Sequence, residues 1–243
     1  MRFWEIDTLR GIAIVLMVIF NWAFALNYFL IYSIGSGWLF WWLFPRFIAT
    51  MFIVIAGISF TISYSRMKTA KKKTKASVYK KYIFRGGKIF LLGMLATLAT
   101  GLFFPQGTIY FGILHFLGIA IMTASLFRNL GKWNVLLGII FILTGIIAQT
   151  LTVSYLWLLW AGIKPENFYT FDYFPLFPWL GIFLIGMFAG DIFYKNGKRN
   201  FMISDEKKIT QAISFLGRHS LVIYILHIPV LLLILHAFGY ALF

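Results

Sequence analysis

The chain has no cysteine, so disulfides and thiolate chemistry are excluded. It holds only 7 acidic residues and 4 histidines in 243 positions. The histidines are scattered and no carboxylate shares a ligand spacing with them, which argues against a metal site. There is no internal repeat, no polar stretch long enough for a soluble domain and no long linker. No cleavable leader is evident. The first apolar run is about a full span long, beyond the roughly 7–15 residues of a signal-peptide core, and no A-x-A-like site follows it.

What the chain has in excess is apolar surface. Hydrophobic residues make up 61% of it and the mean hydropathy is +0.86. An ordinary soluble domain is about 45–50% apolar. The surplus needs lipid, where only helices or closed barrels satisfy their own backbone hydrogen bonds. Barrel strands are short and alternate apolar with polar. Here the apolar runs are continuous, which predicts helices. At about 20 residues per span, seven candidates emerge: 12–31, 40–64, 83–103, 110–127, 133–153, 174–193 and 216–235. The stretch 155–163 is apolar but too short to cross. It either lies at the interface, where Trp157 and Trp160 suit the headgroups, or extends the fifth span.

The net charge of +15 would suggest nucleic acid in a soluble protein. Here the basic residues lie between the apolar runs and report topology instead. Arg2 and Arg10 precede the first run. Arg66, Lys68, Lys71, Lys72, Lys73, Lys75, Lys80, Lys81, Arg85 and Lys88 follow the second. Arg128 and Lys132 follow the fourth, and Lys195, Lys198, Arg199, Lys207, Lys208 and Arg218 follow the sixth. With seven spans all of these fall on one side, leaving only Arg46 and Lys164 on the other. The fold class that follows is an all-α integral membrane protein, a single domain over 1–243. It is a bundle of about seven transmembrane helices with a cytoplasmic amino terminus and an extracytoplasmic carboxyl terminus, multi-pass in the cell membrane. The loop at 66–81 serves orientation alone or also attracts anionic lipid, at about 1 kcal/mol per basic residue near the surface.

Ionisable groups inside spans are costly and are functional candidates by default. Asp7 and Arg10 stand three apart at the start of the first span, on one helix face. They form either an anchoring salt bridge or a cytoplasmic mouth. Asn21 lies near the middle of that span. Arg85 and Lys88 share the three-residue spacing beside Gly86-Gly87, which suits either positive-inside flanking or a phosphate-bearing ligand close to the backbone. His115 and His227 lie within the fourth and seventh spans, where an imidazole bridges helices or performs chemistry. Pro229 frees the carbonyl near Ile225 and predicts a kink. Arg46 resists positive-inside placement, and Asp172, on the same predicted side, is its natural partner. That pairing fails if the two side chains point to different faces. Gly186-x-x-x-Gly190 permits close helix approach.

Five segments together resemble one family. Ile6-Asp7-Thr8-Leu9-Arg10-Gly11-Ile12-Ala13 is similar to the opening of the heparan-alpha-glucosaminide N-acetyltransferase catalytic-domain family, one of a wider group of transmembrane acyltransferases. FIVIAGIS at 52–59 resembles its second span and FGILHFLG at 111–118 its fourth. DYFPLFPWLGIFLIG at 172–186 is the most specific match, and LGRHSLVIYILHIP at 216–229 resembles the close of the domain. The matches run in order along nearly the whole chain, which is short for the group and closest to its compact prokaryotic members.

The resemblance implies a protein that moves an acyl group, typically acetyl, from cytoplasmic acetyl-CoA or another acyl-CoA. The acceptor would be an amino sugar or glycan on the other side of the membrane. It implies that Arg10 with Asp7, Arg85 and Lys88 meet the CoA phosphates. It implies that Asn21, Arg46, His115, Asp172 and His227 line the route outward. A base near the acceptor would take its proton, and Asn21 or Arg46 would steady the oxyanion. The partners are then membrane lipids, acyl-CoA, the glycan acceptor and, as an option, further copies of the chain, with no nucleic acid and no metal. One departure stands out. The family's eukaryotic member carries its key histidine in the loop after the first span, and this chain has none between Asn21 and Arg46. His115 must then serve, or the reaction differs, or the protein is not a catalyst. A transporter or channel with Asn21, His115 and His227 along its path, and a non-catalytic scaffold, remain as alternatives. Outer loops 32–38 and 161–173 would recognise any acceptor, with Tyr169, Phe171 and Tyr173 as sugar-stacking or interface-anchoring rings.

Overall fold

The structure is a computed structural model that describes residues 3–33, 35, 37–69, 74–203 and 207–240. Arg2, Lys71, Lys72 and Lys73 lie outside the described residues. Among the described residues eight α-helices follow one another: α1 (Trp4–Tyr28), α2 (Phe44–Thr69), α3 (Lys75–Phe103), α4 (Ile113–Phe127), α5 (Trp133–Ala148), α6 (Leu176–Phe193), α7 (Lys208–Arg218) and α8 (Ser220–Ala237). A π-helical turn, Leu39–Leu43, leads into α2. Among the described residues the only extended pairings are two isolated bridges, Phe111 with Tyr173 and Thr152 with Lys164. Among the described residues six helical stretches are long and apolar enough to span: Trp4–Tyr28, Leu39–Lys68, Ala76–Phe103, Ile113–Leu130, Leu176–Phe193 and Ser220–Ala237. Leu91, Leu95, Leu98 and Leu102 on α3 are exposed, as a helix facing acyl chains requires.

The chain divides into two compact units, Met1–Ile55 with Ile203–Phe243, and Ala56–Met202. The first unit joins the two ends of the chain. α7 crosses the first turns of α1 at backbone distance. A Cβ on Gly217 would lie 1.7 Å from the Asp7 carbonyl oxygen, and one on Gly11 would lie 2.0 Å from that of Ile213. Only glycine allows this approach. Thr8 Oγ1 adds a hydrogen bond to the Thr210 carbonyl at 3.4 Å. The chain turns at His219, and α8 then runs parallel to α1. Met17 packs in one apolar cluster with Ile223 and Tyr224. Further along, Ala25 packs with Leu231 and Leu235.

In the second unit α3 and α4 are antiparallel. A Cβ on Gly86 would meet the Gly118 carbonyl oxygen at 2.4 Å, and one on Gly93 the His115 ring at 2.9 Å. α5 and α6 are antiparallel too, Gly138 against Gly181 and Gly145 against Pro178. The later half of α2 runs parallel to α6. Gly57 faces Phe183 and Gly186, Gly190 faces Thr61, and Thr61 Oγ1 donates to the Met187 carbonyl at 3.0 Å. The Gly186-x-x-x-Gly190 face is therefore a packing face, as its spacing implies.

These directions fix the number of crossings. α5 has 16 residues, about 24 Å at 1.5 Å per residue, short for a span. Yet α2 and α6 point the same way, which requires an odd number of crossings between them. α3 and α4 supply two, so α5 is the third. The parallel run of α1 and α8 also requires an odd total, which the six long stretches and α5 make seven among the described residues.

The fifth span ends earlier than its hydropathy predicts, at Ala148 rather than residue 153. Polar Gln149 and Thr150 close it, and Val153 N–H donates instead to the Lys164 carbonyl at 3.4 Å. The apolar stretch beyond is a separate 3₁₀ turn, Leu156–Ala161, with Trp157 and Trp160 exposed. The seventh span begins at Ser220, because 216–218 belong to amphipathic α7. α8 continues through Pro229.

Candidate functional site

The first unit places a polar layer between two apolar ones. Asn21 on α1 and His227 on α8 meet with Asn21 Nδ2 3.0 Å from His227 Nε2. Met17, one turn before Asn21, and Ala25, one turn after, belong to the apolar clusters on either side. The Tyr224 carbonyl lies 2.5 Å from His227 Nδ1. A carbonyl only accepts, so Nδ1 carries the proton and Nε2 the lone pair. Asn21 therefore donates to Nε2, and the same amide nitrogen lies 2.9 Å from Met17 Sδ. The imidazole is presented as a base, its orientation set by the backbone of its own helix.

Arg46 has a local role in the same unit. Nη1 donates to the Trp42 carbonyl at 2.8 Å, and the guanidinium stacks 4.1 Å from the Trp42 ring. Trp42 stacks in turn on Trp38. Asp7 Oδ1 accepts from Arg10 Nη1 at 3.3 Å. Asp7 is buried under the α7 crossing, so this pair anchors the start of α1.

In the second unit His115 and Asp172 come together at the amino end of α4. Asp172 Oδ2 accepts the Ile113 N–H at 2.9 Å, satisfying a first-turn donor. The Gly112 N–H donates to His115 Nδ1 at 3.2 Å. Thr97 Oγ1 donates to the Ile109 carbonyl at 2.5 Å, so it accepts from His115 Nε2–H at 3.3 Å. His115 is 1% exposed, with the Phe90 and Phe111 rings beside it. Its Nδ1 is committed to the Gly112 N–H and its Nε2 to the Thr97 hydroxyl of α3, and it carries the opposite tautomer to His227.

The loop 168–174 closes over this end. The Phe171 and Phe174 N–H groups donate to the Gly107 and Phe111 carbonyls, and Thr170 Oγ1 donates to the Thr108 carbonyl. Tyr173 donates to the Leu159 carbonyl at 2.8 Å. Burial pushes its phenol up to about 12. Tyr169 is exposed, whereas Phe171 packs on Phe104 and on Gly107.

Arg85 and Lys88 are both exposed on α3. The glycines beside them differ. Gly86 is packed against α4, whereas nothing lies within 4 Å of a Cβ at Gly87. Backbone at Gly87 is thus open to a ligand between two cations.

One ion pair was not anticipated. Arg128, just past α4, binds Asp191 of α6 through both nitrogens at 2.9 and 2.8 Å and donates to Ser65 Oγ at 3.2 Å. Arg128 reads as a topology marker in the sequence, and Asp191 as a polar group at the inner end of the sixth span. The intramembrane position of Asp191, a rare acid at the end of a span, was the available signal. Among the described residues no group of three or more His, Asp or Glu is placed to share a metal.

The family model described as "Heparan-alpha-glucosaminide N-acetyltransferase, catalytic" matches residues 2–229. The chain belongs to this family. The heparan-alpha-glucosaminide N-acetyltransferase match takes in α1 through Pro229 of α8, and so both members of the Asn21–His227 pair. It makes the chain a multi-pass membrane protein of acetyltransferase type. No curated protein and no solved structure matches the chain.

Proposed function

We propose that this protein transfers an acyl group, acetyl by its family, from acyl-CoA to the amine or hydroxyl of a sugar acceptor, with His227 as the base. The observation that carries the reading is the tautomer of His227. Its Nδ1 proton is committed to the Tyr224 carbonyl, and its Nε2 lone pair faces a single exchangeable partner, the Asn21 amide. The loop histidine of the family's eukaryotic member has no counterpart between Asn21 and Arg46, and an imidazole from α8 stands against Asn21.

The acceptor nitrogen or oxygen would displace the Asn21 N–H from Nε2. As it attacks the thioester carbonyl, its proton moves to Nε2. The Asn21 amide then donates to the oxyanion. Collapse breaks the carbon–sulfur bond, and the departing CoA thiolate takes the proton back from the imidazolium. Apolar layers on both sides exclude water, which limits hydrolysis of the thioester. Arg85, Lys88 and the open backbone at Gly87 suit a CoA phosphate, and Arg10 stands by Asp7 as a further cation. The segregation of basic residues supports a cytoplasmic amino terminus, which puts these groups on the side where acyl-CoA is found.

The test uses detergent-purified protein, radiolabelled acetyl-CoA and a glucosamine-terminated acceptor. Thiol reagents read released CoA without background, since the chain has no cysteine. The expected result is micromolar acetyl-CoA binding, about −8 kcal/mol, with acceptor-dependent thiol release. A well-folded sample that neither binds acetyl-CoA nor releases thiol overturns the reading.

A further inference from the structure

From 39 to 65 the chain carries a single charge, Arg46, at the end of α2 opposite Arg66 and Lys68. Arg46 and Arg66 stand twenty positions apart. That is about 30 Å of helix, the thickness of a hydrocarbon core. With Arg66 at one headgroup level, Arg46 reaches the other. The turn before it is unusual. Pro45 has no N–H for the preceding turn, and the helix opens into the π-helical turn Leu39–Leu43, with Phe44 N–H donating to the Leu39 carbonyl. Phe40 and Phe44 face α1, where both rings meet Phe20. Ile48 is buried with Ile14 and Met17 on the same side. Trp42 and Arg46 lie two positions from these residues, roughly 200° round the helix. Both are exposed, as are Trp38, Leu43 and Phe47.

The guanidinium is held in place on this outward face. The Trp38 and Trp42 rings stack at 4.6 Å and 17°. The guanidinium lies over the Trp42 ring at 4.1 Å, and Nη1 donates to the Trp42 carbonyl at 2.8 Å. This covers one face of the group and uses one of its N–H donors, of which arginine has five. Past Asp7, none of α1, α2, α7 and α8 carries a carboxylate. The charge at this end of the unit therefore has no counter-ion on its own helices. A stacked guanidinium is a preorganised fork whose outward N–H edge matches the oxygens of a phosphate. At headgroup level the phosphate to hand belongs to a lipid. A site without a carboxylate favours a headgroup that brings no amine of its own.

We propose that Arg46, on its Trp38–Trp42 platform, binds the phosphate of an anionic phospholipid in the leaflet opposite the basic loops. The site lies on the face of α2 turned away from α1, and it does not rest on the acyltransferase reading.

The experiment places the protein in phosphatidylcholine nanodiscs with one of two probes. One is phosphatidylglycerol with a photoreactive group near the ester of one acyl chain. The other is diacylglycerol with the same group and no phosphate. Labelling of the segment 38–47 is read by mass spectrometry. The phosphatidylglycerol probe is expected to label this segment well above the diacylglycerol probe. Arg46→Gln is expected to weaken that labelling roughly ten- to hundredfold, as for a lost hydrogen bond between charged groups, with an unchanged thermal midpoint. Arg46→Lys keeps the charge and loses the planar fork, so it falls between the two. A control, Lys207→Gln/Lys208→Gln, leaves labelling of the segment as it was. Equal labelling by the two probes overturns the proposal, since apolar contact alone would then account for it. Undiminished labelling in Arg46→Gln overturns it too, as does a control that loses as much. Displacement of the probe by inorganic phosphate but not by unlabelled phosphatidylglycerol overturns the lipid as occupant.

Discussion

Asn21 Nδ2 donates to His227 Nε2 across 3.0 Å and 206 positions of sequence. The two helices that carry these residues run parallel, so the pair forms a single polar layer between apolar ones. His115, by contrast, accepts from the Gly112 N–H in the cap of α4 and donates to Thr97 of α3. The two intramembrane histidines thus separate into the proposed base and a group that joins the cap of α4 to α3.

His227→Gln keeps a hydrogen-bonding side chain opposite Asn21 but removes the base. Transfer should fall about 10²–10⁴-fold with acetyl-CoA affinity and thermal midpoint little changed. His115→Ala should show the reverse pattern. It leaves the Gly112 N–H without its acceptor and opens a cavity, costing about 2–4 kcal/mol of stability, while turnover per folded molecule persists. Single-turnover rates and thermal melts on both variants separate the two, and the opposite result would return catalysis to His115.

Arg128 and Asp191 are partly exposed, at 18% and 28% of their side-chain surface. Asp191→Asn should therefore cost more than an exposed pair, about 1 kcal/mol, and less than a fully buried one, about 3–5 kcal/mol. A double-mutant cycle with Arg128→Met should recover part of the loss. Additive losses would mean that the two groups do not depend on each other.

Gly217→Ala puts a methyl group where the Asp7 carbonyl oxygen lies 1.7 Å away. α7 must then withdraw from α1. In the cysteine-free background, a Thr8→Cys/Thr210→Cys pair should crosslink with a short bifunctional thiol reagent, and Gly217→Ala should abolish the crosslink. Retained crosslinking would show that the helices tolerate the added Cβ.

Burial raises the Tyr173 pKa from 10 to about 12. The folded state therefore holds the phenol proton more tightly than the unfolded chain does. The stability this gives is complete below pH 10 and is lost as the pH rises through 12. Tyr173→Phe, which removes the bond to Leu159, should lower stability by about 0.5–1.5 kcal/mol at neutral pH and flatten the alkaline limb of a melting profile. An unchanged alkaline limb would count against the buried phenol.

Hydropathy made the spans legible because each apolar run is long and uninterrupted. It overstated the fifth, where Gln149 and Thr150 stop the helix although leucine and valine follow. It also merged α7 with α8. The 11 residues of α7 are amphipathic rather than apolar, and the break at His219 has no proline or glycine of its own to announce it. Asn21 and His227 were each visible as rare polar groups, but nothing in a linear sequence says that the first and last spans are neighbours. Arg46 and Asp172 were matched by sign and side. The structure gives Arg46 an aromatic platform and Asp172 a helix cap, roles that need three-dimensional neighbours to be seen.

The joining of α1 to α7 and α8 has a consequence for the timing of biosynthesis. The ribosome delivers Asn21 to the bilayer well before His227, with five intervening spans inserted between them. Until α7 and α8 arrive, the first helix waits without the partners that cover Gly11 and complete its polar layer. A stalled or truncated chain, however well inserted, lacks the proposed base, so a nascent protein would not spend the cell's thioester pool before its synthesis is done.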